Sequence, residues 1–146
     1  MALDRGTDAA VDDATLARLV RELADAVIIA NADGEIVEWN EAATTMFGWA
    51  RHEALGQTLD IIIPERFRDR HWKGYETAMA TGRSVYASRL LEVPALHRDN
   101  TSLSIAFTVT IVRDRDGAVA GIAAVIRDET ERRQEMQRLR AAQNTN

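Results

Sequence analysis

Apolar and polar positions recur with two different periods along this chain, and the switches between them mark out its elements. After Asp12-Asp13, Leu16, Leu19, Val20 and Leu23 return at three- and four-residue spacing, the stripe of an amphipathic helix with an acidic cap. Ala26 to Ala30 and Ile36 to Trp39 then read as two short strands around the turn Asn31-Ala32-Asp33-Gly34, and so as a hairpin. Asn40 caps a short helix that runs through Phe47 and stops at Gly48, and Arg51 to Leu55 makes a further turn before Gly56. Pro64 suits the start of a longer helix, where its missing N–H costs nothing, and Gly82 suits the left-handed residue that ends it. Phe67, His71, Tyr75 and Ala78 share the apolar side of that helix, while Arg66, Arg70, Lys73 and Thr77 take the other.

Beyond Gly82 the period drops to two. Residues 83 to 97 place Val85, Ala87, Arg89, Leu91, Val93 and Ala95 on one face of a strand, with Tyr86, Ser88, Leu90 and Glu92 on the other. Arg89 is the one charge on its face. Pro94 has no N–H to give to a ladder, which predicts an edge strand or a bulge. After a turn at Asp99-Asn100, Leu103, Ile105, Phe107, Val109 and Ile111 alternate with polar or small residues, the pattern of a half-buried strand. Asp114-Arg115-Asp116-Gly117 turns the chain into Ala118 to Arg127, small and aliphatic almost throughout, as a central strand requires. Asp128 and Glu131 have the spacing of a capping box for a last, charged helix whose main apolar residues are Met136 and Leu139. The apolar stripes at both ends are too thin for a core and predict a homodimer through the flanking helices, the C-terminal one as a short coiled coil.

With 146 residues, 46% of them hydrophobic, the chain has material for one domain with a real core. The expected organisation is a leader over 1–11, a flanking helix over 12–25, a core over 26–127 and an exit helix over 128–146. A net charge of −5 provides no broad basic surface for phosphates, so nucleic acid is not the expected partner. The absence of cysteine excludes disulfides, thiolate metal sites and thiol-linked chromophores. The polar N-terminus has no signal-peptide core and no apolar run reaches spanning length, which predicts a cytoplasmic chain that does not enter a membrane. No nucleophile elbow or Ser-His-Asp pairing appears, so no enzyme is expected. Three isolated histidines make no zinc site, and of these His52 and His97 fall in turns and are expected to be solvated. Trp39, Trp49 and Trp72 read as packing residues.

The order helix, two strands, short helices, one long helix, three strands and an exit helix resembles the PAS sensor family. Asn31-Ala32-Asp33-Gly34, Trp39-Asn40-Glu41-Ala42-Ala43 with Phe47-Gly48, Ile63-Pro64-Glu65, Arg98-Asp99 and Asp128-Glu129-Thr130-Glu131-Arg132 are similar to that family's signposts, over roughly residues 13 to 140. The resemblance implies an α+β fold, a five-stranded antiparallel sheet covered on one face by helices, and a sensory role. Within the family the chain resembles most the haem-binding PAS domains of rhizobial oxygen-sensor kinases. Pro64-Glu65, Arg68, Arg70 and His71 match the run that leads to their proximal iron ligand, which makes haem b the implied cofactor and His71 the implied iron ligand.

Two positions depart from that pattern. A tyrosine expected three residues after the histidine stands here four after it, as Tyr75, and Leu91 occupies the place of a distal arginine that contacts bound oxygen. Arg89, two residues earlier and on the same predicted strand face, is the nearest substitute, able to donate to a bound gas or a haem propionate. The ligand would then lie between the long helix and the faces carrying Leu91, Phe107 and Val109, and a shift of the sheet would reach Asp128 and Thr130 at the root of the exit helix. A second function class stays open beside this one: a PAS module that only dimerises, or that takes a small organic molecule. No effector sequence follows residue 146, so the expectation is either a fragment or an output through protein contact.

Overall fold

The computed structural model describes residues 10–84 and 89–144. Helix α1 (Asp13–Glu22) starts at Asp12, whose carboxylate accepts from the Thr15 N–H at 2.8 Å. Strands β1 (Ala26–Asn31) and β2 (Ile36–Trp39) pair antiparallel, and the Asn31 side chain holds the turn between them by accepting from the N–H groups of Asp33 and Glu35. Helix α2 (Glu41–Phe47) ends at the left-handed Gly48, and α3 (Arg51–Ala54) and a 3-10 turn (Leu59–Ile62) lead into the long helix α4 (Glu65–Thr81). Pro64 opens α4 and Gly82 closes it at φ 67°, as the sequence predicts. Strands β3 (Leu91–Leu96), β4 (Ser102–Arg113) and β5 (Val119–Asp128) follow, and α5 (Thr130–Asn144) leaves the sheet.

The strands form one antiparallel sheet in the order β2-β1-β5-β4-β3. The aliphatic β5 is therefore central, and β3 with Pro94 lies at an edge, where a missing donor costs no ladder bond. Register places Ile28, Ala124 and Val109 in one row and Ala30, Ile122 and Ile111 in the next, so the two-residue alternation of three strands merges into one apolar face. Phe47, Leu59, Ile62 and Tyr75 pack against that face, and Trp39 and Phe47 are fully buried with ring centroids 5.8 Å apart. Each such side chain stabilises the fold by about 1.5–3 kcal/mol through burial alone. Helices α1 and α5 bury no residue, and Leu16, Leu19, Leu23, Met136 and Leu139 stay exposed.

Among the described residues Asn40 is the buried polar exception, and every bond its amide can form is made. Its oxygen accepts from the N–H groups of Val27 and Ala43, and its nitrogen donates to the carbonyls of Val20 and Asp25 at 2.9 and 3.0 Å. One side chain thus caps α2 and joins it to the start of β1 and the last turn of α1.

Several local expectations are corrected. The third strand begins at Leu91 rather than at residue 83, because its pairing with β4 begins where Leu91 meets Phe107. Arg89 precedes the ladder and is exposed, so it is not on the strand face that carries Leu91; its charge stays hydrated instead of being placed on an apolar surface. Val85, Tyr86, Ala87 and Ser88 lie outside the described residues, as do residues 1–9 of the expected leader. The Asp128 carboxylate turns to the N–H and hydroxyl of Thr130 instead of closing a capping box with Glu131, since Thr130 is the nearer donor. His97 is not free in solvent: Nδ1 lies 2.9 Å from the Asp99 carboxylate, and its ring packs so closely on Gly48 that a Cβ there would come within 2.6 Å.

Candidate functional site

Hydrogen bonds and close packing fix α4 at both ends and along one side. At its start, the Arg68 guanidinium donates to the carbonyls of Ile63 and Asp60, which ties the first turn back to the 3-10 turn. The Trp72 indole N–H donates to the Asp60 carboxylate at 2.7 Å, and the ring lies over Gly34, where a side-chain carbon would come within 2.2 Å of it. Gly34, at φ 81°, is thus needed both for the turn and for the approach of α4. Farther along, the Tyr75 hydroxyl donates to the Asn31 carbonyl. At the far end, the Arg113 guanidinium donates to the carbonyls of Gly82 and Gly117, joining the end of α4 to the β4–β5 turn.

His71 sits on this fixed helix next to both aromatic rings, its centroid 4.7 Å from that of Trp72 and 5.8 Å from that of Tyr75. Its Nδ1 is buried and has no hydrogen-bond partner among the described residues. Burial lowers the imidazole below its usual range, and the nearby Asp60 carboxylate opposes that only in part. The ring is therefore held in the neutral form, the form that binds metals. The Tyr75 phenol is pushed up to about 12, first by burial and then by the Asp33 carboxylate, so it remains a donor.

The structure assembles the expected site residues in two groups. His71 and Tyr75 stand one turn apart on α4 with their rings in contact. Leu91 and Phe107 are cross-strand partners, and Val109 follows on the same face of β4. Phe107 and Val109, partly buried, pack against the cluster that includes Tyr75. Arg89 belongs to neither group. Asp128 and Thr130, expected at the root of the exit helix, are joined there by hydrogen bonds, and Ser104 adds to that junction. Ser104 of β4 accepts from the Glu129 N–H at 2.7 Å through its carbonyl, and its own N–H donates to the Thr130 hydroxyl at 3.0 Å. Trp72 was read as packing alone; its reach to Asp60 and Gly34 depends on contacts between segments remote in sequence.

On the helix side the site presents one neutral imidazole with a buried nitrogen that no described group satisfies, flanked by the Trp72 and Tyr75 rings. Comparison with known proteins supplies the family. The model of the PAS fold matches residues 14–128. This chain belongs to the PAS family. As a PAS domain it is a sensory and signal-transducing module, and its five-stranded antiparallel sheet with helices is that family's fold. It is 35% identical over 128 residues, 87% of its length, to an uncharacterised protein of Azorhizobium caulinodans, and 28% identical over 137 residues to the sensor protein FixL of Bradyrhizobium diazoefficiens. It spans 17% and 25% of the length of those two relatives. The crystal structure of a PAS domain from Colwellia psychrerythraea shares the fold, with a TM-score of 0.70 at 19% identity, over 81% of this chain and 97% of that one. No helix among the described residues of this PAS domain is long and apolar enough to cross a membrane.

Proposed function

We propose that this PAS domain is a haem-based gas sensor in which His71 holds the iron. The observation that carries the reading is the buried Nδ1 of His71, a polar atom without a partner among the described residues on a ring that burial keeps neutral. A buried polar atom left unpaired costs about 1–3 kcal/mol, as at Trp49 Nε1 too, and at the matching ligand position the imidazole that carries it is the one iron would take. Haem iron, when bound, supplies the open coordination position at which oxygen is sensed. The Trp72 and Tyr75 rings restrain the imidazole, and Leu91, Phe107 and Val109 furnish an apolar wall on the strands. Displacement of β4 would be passed through Ser104 to Asp128, Thr130 and the root of α5, the element that leads to whatever effector the signal reaches.

Purified haem-free protein titrated with hemin tests the reading. One equivalent per chain should be taken up with a Soret band, His71→Gly should lose it, and added imidazole should restore it to that variant. Failure of the wild type to take up hemin would contradict the proposal. The second reading, a PAS module that dimerises without a cofactor, is favoured by the exposed apolar stripes of α1 and α5. Under either reading the domain is a homodimer through those helices.

A further inference from the structure

Between α4 and the β1–β2 turn lies an open groove of about 500 Å³ lined by Ala32, Trp72, Tyr75 and Met79 together with the exposed Asp33 and Glu76. The two rings stand at 66° to each other with centroids 5.4 Å apart, which makes a corner of aromatic surface rather than a stack. Their polar ends are already committed, the indole N–H to Asp60 and the phenol to the Asn31 carbonyl. Tyr75 is buried, so what the groove offers a ligand is the part-exposed Trp72 ring, beside the Met79 thioether. Neither Asp33 nor Glu76 has an ion-pair partner among the described residues, although Glu38, Glu53 and Asp25 elsewhere on the surface are each paired with an arginine. An aromatic corner carries the negative face of the ring quadrupole, and two uncompensated carboxylates add charge of the same sign. A neutral apolar ligand would make no use of the carboxylates, and an anion would be repelled by them.

We propose that this groove binds a small organic cation, with an alkylammonium group seated against Trp72 and balanced by Asp33 and Glu76. The rings are held in place before the ligand arrives, so little ordering is required of the protein. His71 itself does not line the groove, whose Trp72 and Tyr75 rings also touch the imidazole.

The test is a calorimetric titration of the intact chain with choline and with its uncharged isostere 3,3-dimethylbutan-1-ol. Choline should bind at least about tenfold more tightly than the alcohol, and its affinity should fall as salt is added. The double variant Asp33→Asn, Glu76→Gln should weaken choline about tenfold without moving the thermal midpoint, because both residues are exposed. Trp72→Phe, which keeps a ring over Gly34, should give an intermediate loss. Absence of choline binding, equal binding of the two probes, or undiminished binding by the double variant overturns the proposal.

Discussion

Asn40 is buried and His71 half-buried, and the two polar side chains differ in what satisfies them. Asn40 makes four hydrogen bonds to groups on α1, β1 and α2, so its loss would strand several buried donors and acceptors at once. Asn40→Ala should cost about 2–4 kcal/mol in urea unfolding, more than the loss of an ordinary helix cap. Asn40→Asp keeps the acceptor and loses the donors to Val20 and Asp25, and should unfasten the end of α1 first, read as faster amide exchange there. His71 has an unpaired nitrogen instead, and its folded-state proton affinity is lowered by burial. The unfolded chain therefore binds the proton more readily, so stability should fall as pH drops through the ordinary imidazole value of 6.5 towards the lower folded value. Urea midpoints of the haem-free protein at about pH 7.5 and pH 5.5 should show this decline, and His71→Leu should reduce it.

At the scale of elements, what pins α4 and α5 is distributed between sequence signals and contacts across the fold. Residue types with strong backbone demands were legible: Gly34, Gly48 and Gly82 all take the left-handed conformation where a turn or helix end was predicted, and Pro94 lies on an edge strand. The inner face of β4 was legible for the same reason, since alternation is local. The start of β3 was not, because the alternation in the sequence runs on through Arg89, while the observed register is decided by Phe107 on another strand. Ser104 was illegible as part of the relay because its role comes from backbone groups, which every residue carries. That junction makes its own prediction. Thr130→Val removes the hydroxyl that accepts from Ser104 and donates to Asp128, and should make local opening of this junction easier by about 1 kcal/mol. Faster exchange of the Ser104 amide, with the β1 and β5 amides unchanged, would confirm that the junction loosens locally; a uniform rise would assign Thr130 to global stability instead.

For the molecule as a whole, the core is complete within one chain, while the flanking helices are not. α1 and α5 bury nothing of their own, yet each carries exposed leucine or methionine on one side. Removing residues 1–24 and 129–146 should therefore give a folded monomer by light scattering at micromolar concentration, and a dimer that survives truncation would move the interface to the sheet. The central claim is that a single neutral imidazole on α4 connects this sheet to a gas. Resonance Raman spectroscopy of the ferrous haem-loaded protein reads that bond itself, as an iron–histidine stretching band that shifts when histidine is ¹⁵N-labelled. The band should persist in His52→Ala and His97→Ala and vanish in His71→Ala; its persistence in His71→Ala, or its absence from the wild type, would contradict the account.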